Sequence, residues 1–291
     1  MFQVIAFYKF CRIEPERVAV LQAEINTFCQ EYAICGLLLL SVEGCNGTMA
    51  GRHDAVTAFV AFLQGIVEIG TLSVKVSTCD EEPFGLLKVE VREEIVTLKR
   101  PDIFPEGDDN THLPPAQWHE VLTSGDDFVL IDVRNTYETE IGKFRQVLDP
   151  QLEQFSDFPD FVAKQAIPKD KTVLMYCTGG IRCEKAAVFM KQEGYRNVFQ
   201  LDGGILNYLE QFPEGEYEGE CFVFDRRVAV DRNLQPSQQY RICPHCGSPG
   251  KEVVACGNCG KQSVICQTCA ATSHLRTCSK NCAHHYALKQ G

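Results

Sequence analysis

Residues 176–186 read YCTGGIRCEKA. The apolar run TVLMY delivers Cys177 to its end. Thr178, Gly179, Gly180 and Ile181 follow, then Arg182, Cys183 and a helical pattern. The two glycines let the backbone curl with its N–H groups pointing inward, which makes a cradle for an anion. A helix starting here adds the positive end of its dipole, and Arg182 adds a full charge. Each favours thiolate over thiol, so Cys177 is expected to be a nucleophile of lowered pKa. A buried free cysteine at a strand end would not require Gly-Gly and Arg at this spacing. Cys183 has two readings: a thiol that resolves an adduct on Cys177 as an internal disulfide, or a small helix residue packed on the sheet.

A second set of thiols fills the tail. CPHC, CGNC, CQTC and CSKNC supply the pairs Cys243/Cys246, Cys256/Cys259, Cys266/Cys269 and Cys278/Cys282. Knuckle spacing lets two thiolates of a pair reach one tetrahedral ion, so the eight form two Zn²⁺ sites. Pairing is open between sequential and interleaved, and His284 or His285 can replace a cysteine. In so short a segment the metal would supply much of the folding energy. The alternatives are an iron–sulfur cluster, a redox relay, or thiols without metal.

The chain that carries these sites has 291 residues, enough for two or three domains. Eight of its 16 cysteines lie beyond residue 242, which suits metal-binding or redox thiols in a reducing cytoplasm better than a disulfide framework. The net charge of −11 argues against loose electrostatic binding of nucleic acid. Residues 221–291 are the least acidic part, with nine Lys/Arg against three Asp/Glu. The apolar run AICGLLLL at 33–40 is too short to span a membrane, and the N-terminus shows no signal-peptide pattern. No dinucleotide fingerprint points to a nucleotide cofactor.

The expected fold is α/β and multi-domain. Over residues 1–100, FQVIAFYKF, GLLLLS, GTMAG, SVKVSTC and LKVEVREEIVTL read as strands, and EPERVAVLQAEINTFCQEY and HDAVTAFVAFLQGI as amphipathic helices, the second capped by Asp54. The order βαββαβ implies a ferredoxin-like sandwich with some strand left over. Residues 101–114 read as a Pro/Asp/Gly-rich linker. Residues 115–215 alternate all-apolar strands (DFVLIDV, TVLMYC, NVFQL) with helices, which implies a parallel sheet covered on both faces. Ligand sites of such sheets gather at the carboxyl ends of the strands, where Cys177 falls. Residues 216–291 form the cysteine-rich region. Trp118 is expected in the core, and glycines 44 and 47 in a hairpin turn.

Cysteine, four residues, arginine is the loop length of the rhodanese family, in which the cysteine carries a persulfide; related phosphatases have one residue more. LIDVRNTYETEIGKF and LDGGILNY resemble other parts of that domain. Asp132, Arg134 and Glu138 are accordingly expected to form an ion-pair network holding the loop from below. The longer strings YCTGGIRCEKAAVFM, EGCNGTMAG, FGLLKVEVREEIVTLKRPDI and GECFVFDRRVAV, in this domain order, resemble the rhodanese-domain tRNA uridine 5-hydroxylases over residues 5–230. That resemblance implies conversion of the wobble uridine of tRNA to 5-hydroxyuridine in the cytoplasm. It also implies molecular oxygen as co-substrate, recognition of the anticodon region, and a persulfide-type intermediate on Cys177. FRQVLDP after Gly142 and Cys45 in the glycine turn depart from the family pattern. From the residues alone, the rival activity is a sulfurtransferase carrying sulfane sulfur on Cys177. A binding module that docks a partner is the non-enzymatic rival. Arg226, Arg227, Arg232 and Lys251 are candidate tRNA contacts near the tail.

Overall fold

The computed structural model describes residues 1–106 and 111–290. The first unit contains β1 (Phe2–Phe10), α1 (Pro15–Glu31), β2 (Cys35–Ser41), β3 (Gly44–Gly51), α2 (His53–Gly65), β4 (Val74–Cys79) and β5 (Leu87–Val91). Its sheet runs β4-β1-β3-β2-β5, the ferredoxin-like order, with the extra strand β5 added parallel to β2. Both helices cover one face. Alternation in β1 sends Ile5 and Phe7 into a core shared with Leu21, Ile25, Phe59 and Leu63. Each such burial contributes about 1.5–3 kcal/mol. Cys45 is fully buried there and packs as a small apolar residue.

Three local expectations change. Arg52, not Asp54, occupies the N-cap of α2; Asp54 sits in the first turn, where its charge still favours the helix dipole. The run LKVEVREEIVTL leaves the sheet at Val91. Its continuation is captured by the β2–β3 hairpin instead: Ile95 N–H donates to Glu43 Oε1 at 2.6 Å, and Asn46 Nδ2 donates to Ile95 O at 2.9 Å. Leu98 and Ile103 then pack into the core of the next unit, so residues 98–103 are bound rather than loose. Residues 107–110 of the linker segment lie outside the described residues.

The second unit contains β6 (His112–Leu113), α3 (Pro115–Ser124), β7 (Phe128–Asp132), α4 (Thr136–Thr139), β8 (Gly142–Phe144), α5 (Phe158–Lys164), β9 (Thr172–Tyr176), α6 (Ile181–Gln192), β10 (Asn197–Leu201), α7 (Gly204–Gln211) and β11 (Tyr217–Gly219). The sheet is β6-β10-β9-β7, parallel throughout. One face carries Val173, Met175, Ala186 and Met190, the other Leu174, Tyr176, Trp118 and Ile205. This is the doubly covered parallel sheet that unbroken apolar strands demand. Its first strand falls inside the segment that composition marks as linker.

After a further pair, β12 (Cys221–Phe222) and β13 (Ala229–Val230), Cys221, Val223 and Val230 still belong to the core around Trp118. The tail proper contains β14 (Arg241–Ile242), β15 (Pro249–Gly250), β16 (Glu252–Ala255), β17 (Gln262–Ile265), α8 (Gln267–Ala271) and α9 (Lys280–Gln290). Its apolar core is small: Val254, Ile265 and buried cysteines. Among the described residues no helix is long and apolar enough to cross a membrane.

Candidate active site

β9 is the inner strand between β7 and β10, and Cys177 follows directly at its carboxyl end. Gly180 adopts φ of 108°, a conformation L side chains rarely take, and serves as the N-cap of α6. That turn aims the Gly180 N–H at Cys177 Sγ, 3.1 Å away. The loop is clamped from the next crossover. Ile205 N–H donates to Cys177 O at 3.0 Å and Leu206 N–H to Thr178 O at 3.2 Å. A side-chain carbon on Gly204 would lie 2.6 Å from both carbonyl oxygens, so only glycine permits this approach.

Burial by itself would push the Cys177 thiol up. The Cys183 thiol donating to it, the Arg182 guanidinium, and the backbone N–H groups of Arg182 and Gly180 more than offset that cost. The result is a pKa lowered to about 6, so the sulfur is a thiolate at neutral pH. Cys183 moves the opposite way: burial raises it, and its bond to the Cys177 sulfur raises it further, so it stays a protonated donor. Both sulfurs belong to fully buried residues. Ile181 contributes only its place in the first turn of α6.

Glu138 supports the loop directly. Arg182 donates to it through both terminal nitrogens, Nη2 to Oε2 at 2.8 Å, and Thr178 Oγ1 donates to the same Oε2 at 3.2 Å. Burial would raise this carboxyl, but Arg182 holds it below its ordinary range. Asp132 and Arg134 do something else. They form their own buried pair, Arg134 Nη2 to Asp132 Oδ2 at 2.7 Å, and Arg134 binds Gly142 O at 2.6 Å beside the Tyr217 hydroxyl. That pair fixes the turn into β8 rather than the thiol loop. The expected three-residue network is therefore two separate pairs, one under the loop and one beside it.

The sequence reading missed the contribution of the first unit. The face of its sheet opposite the helices packs on the rhodanese-like unit next to the loop. Tyr8 Oη donates to Glu184 Oε1 at 2.8 Å and lies against Gly180. Lys185, fully buried, bridges the units by binding Glu43 at 2.8 Å and Glu94 at 2.6 Å. Lys75 reaches Gly203 in the turn that clamps the loop. The signal was present in β1: Val4, Ala6, Tyr8 and Phe10 make its second face apolar too, which a solvent-facing sheet would not have. The β2–β3 turn at Val42–Glu43 is likewise tied to this seam through Glu43, whereas Gly47 lies inside β3, paired with Phe7 and Leu38, and not in the turn as expected. Gly44 (φ 131°) is required there because a side chain would strike Lys9 O.

The cysteine tail resolves its pairing. Cys243, Cys246, Cys266 and Cys269 converge in one cluster, and Cys256, Cys259, Cys278 and Cys282 in another, so the pairs interleave. Sulfur separations of 3.5 and 3.7 Å in the first cluster, and 3.6, 3.7 and 3.9 Å in the second, match the edge of about 3.8 Å implied by a tetrahedron with Zn–S of about 2.3 Å. Neither cluster includes His284 or His285. Of the basic residues singled out nearby, Arg227 is paired to Asp225 and Arg232 bonds Gly215 O, while Lys251 lies 5.8 Å from the Tyr240 ring centre. Arg226 is packed against Gly85.

Comparison with known proteins agrees with this division. The UPF0176 acylphosphatase-like domain family matches residues 2–95, the rhodanese-like domain family residues 115–211, and the rhodanese C-terminal family residues 218–283. A protein of Bdellovibrio bacteriovorus named tRNA uridine(34) hydroxylase is 42% identical over 97% of this chain and 81% of its own length. Relatives of the same name from Rhizobium etli (44% identical, 85% of this chain and 80% of theirs) and Synechococcus elongatus (43%, 77% and 84%) are similar. Among solved structures, a rhodanese-like domain protein from Staphylococcus aureus aligns at a TM-score of 0.30 with 19% identity, over 34% of this chain and 90% of that one. With a rhodanese-type thiol loop under an acylphosphatase-like sheet and this identity over nearly its whole length, the chain belongs to the tRNA uridine(34) hydroxylase family.

Proposed function

We propose that this protein hydroxylates uridine 34 of tRNA at C5, with molecular oxygen as co-substrate and Cys177 as the reacting thiol. The observation that carries the reading is the sulfur built to be an anion: a fully buried cysteine whose pKa is lowered to about 6 by a thiol donor, a guanidinium and two backbone amides. The names of the relatives supply the substrate and the reaction. Net, C5–H becomes C5–OH with one oxygen atom of O₂ entering the product, and the other leaves as water with two electrons and two protons from a cellular dithiol.

This chain's residues have definable parts in that reaction. The thiolate is nucleophilic at neutral pH without a neighbouring base. A persulfide on it would carry its negative charge into the same cradle. Glu138 fixes Arg182 in place; it also compensates the guanidinium charge, which suits a singly charged sulfur adduct. Cys183 is the candidate resolving thiol. Its attack on a Cys177 persulfide would form the Cys177–Cys183 disulfide and release hydrosulfide, and a cellular dithiol would reopen the bridge. The two tail clusters would each hold one Zn²⁺ with four thiolates and no open position, which is structural rather than catalytic coordination. A cytoplasmic location is part of this reading, supported by the many thiols and by tRNA as the proposed substrate.

The test is nucleoside mass spectrometry of total tRNA from aerobic cells lacking the protein, complemented with wild type or Cys177→Ala. Return of 5-hydroxyuridine and its derivatives with wild type alone supports the reading. Equal levels in all strains would overturn it. Thiocyanate production from thiosulfate and cyanide, indifferent to oxygen, would then make sulfur transfer the activity.

A further inference from the structure

We infer that a nucleotide-binding subsite lies across the seam between the two units, with Phe224 as its base-stacking face and Lys75 as its phosphate-binding cation. It rests on the RNA substrate proposed above and says which residues hold the target nucleotide over the thiol.

Three observations converge. The loop is closed on most sides, yet a side-chain carbon on Gly179 would meet nothing within 4 Å. Open space therefore lies over Gly179, two residues along the loop from Cys177. Next to the loop stands Phe224, 51% exposed although aromatic, with the Arg182 guanidinium 5.9 Å from its ring centre. Phe222 meets Phe224 edge-on at 4.9 Å, and Tyr137 meets Phe222 at 5.2 Å, so the exposed ring is braced from behind. A fixed aromatic with a free face beside a reactive group is what an unstacked base needs.

Charge is the third observation. Arg182 is compensated by Glu138, so the mouth carries no free cation from the loop itself. Lys75 projects from β4 to Gly203, and among the described residues it forms no ion pair. The opposing charges that act on it are Asp202, Glu210 and the Cys177 thiolate, and burial lowers its pKa. An ammonium half-removed from water without a carboxylate in contact is ready for an anion that arrives with the substrate. Both elements are held in register: Arg227, three residues after Phe224, donates to Ser77 Oγ at 2.9 Å, two residues along β4 from Lys75. A nucleotide of single-stranded RNA presents a flat base and a phosphate, which is the pairing of groups found here.

The experiment measures affinity for a fluorescent anticodon stem-loop RNA, and in parallel hydroxylation of the same RNA, for wild type, Phe224→Leu, Phe224→Tyr, Lys75→Gln and Lys75→Arg. Alkylation of Cys177 by iodoacetamide is followed as a function of pH. Phe224→Leu keeps apolar volume but loses the stacking face, and affinity should fall roughly tenfold. Its alkylation profile should be unchanged, and Phe224→Tyr should restore binding. Lys75→Gln should weaken binding several-fold and reduce the slope of log affinity against log salt by about 0.7, one phosphate contact. Lys75→Arg should recover both. Wild-type affinity and salt slope in Phe224→Leu and Lys75→Gln would overturn the subsite. Wild type that binds RNA but makes no 5-hydroxyuridine would sink the hydroxylase reading alone, and wild type that does not bind would overturn both.

Discussion

The thiol loop and the cysteine tail use the same residue for opposite ends. At the loop one sulfur is buried and turned into an anion by the Gly180 turn and the first turn of α6. In the tail eight sulfurs cluster in two sets around a core of little more than Val254 and Ile265. The loop is made by the fold, because a parallel sheet with cores on both faces holds Cys177 in place. The tail's fold is made by its cysteines, because so few apolar side chains cannot offset the ordering entropy of some fifty residues. A cysteine's neighbours decide which role it takes: one thiol donor, a cation and amides for the one, three more thiols for the other.

The largest expected effects separate the two regions. Cys177→Ala should abolish 5-hydroxyuridine formation while leaving circular dichroism and zinc content unchanged. Stripping metal with a strong chelator should do the reverse to structure. The tail should lose protection from proteolysis while residues 1–230 stay folded and Cys177 keeps its alkylation rate. Replacing Cys256 with Ser should halve bound zinc, from two ions to one, by elemental analysis. A tail that resists proteolysis without metal would break the comparison. The pH dependence sharpens it. Below about pH 6 Cys177 is a thiol in both folded and unfolded chains. Between there and the ordinary thiol pKa of 9.0, the folded chain carries the thiolate and the unfolded chain still binds the proton. Stability should therefore rise with pH across that window and fall as pH drops toward 6, a trend absent from Cys177→Ala.

A middle-sized effect is expected at Glu138. Glu138→Gln leaves Arg182 buried without its counter-charge, at a cost of about 3 kcal/mol by urea unfolding. In the fraction that folds, the uncompensated guanidinium should pull the Cys177 pKa further down. The alkylation midpoint would then fall even as stability falls. An unchanged midpoint would mean that the backbone amides, and not Arg182, set the thiolate.

How much of this was legible in the sequence follows from the range of the interactions. The thiol loop, the helix after it and the ferredoxin-like order are local patterns, and local patterns can be read: Cys177, Gly180 and Arg182 stand where their spacing puts them. The eight tail ligands were readable as ligands, but not as sets, because near-equal spacings allow either pairing and only the fold brings Cys246 to Cys266. β6 is two residues long beside prolines and carries no periodicity, so composition alone reads it as linker. The seam was the least legible part. Lys185 looks like an ordinary helix lysine until Glu43 and Glu94, some ninety residues or more away, close around it. The split of Asp132–Arg134 from Glu138–Arg182 is also tertiary, set by where β8 turns.

The smallest expected effect concerns Cys183, the one thiol that stands between the two roles. As a donor to the Cys177 sulfur it lowers that pKa, and its own is raised in return. Cys183→Ala removes one hydrogen bond, worth a net 0.5–1.5 kcal/mol, so the Cys177 alkylation midpoint should rise by about half to one pH unit. Cys183→Ser keeps a donor and should leave the midpoint near its original place. The two variants differ in the Cys177 midpoint but share the loss of the Cys183 sulfur. If Cys183 resolves a Cys177 adduct, neither can form the internal disulfide, and peptide mapping under non-reducing conditions after aerobic turnover should show Cys177 in a persistent adduct in both. If Cys183 only donates a proton, the serine variant should turn over like wild type and accumulate none. That outcome would leave the loop with a single reactive sulfur and make its contrast with the eight-thiol tail complete.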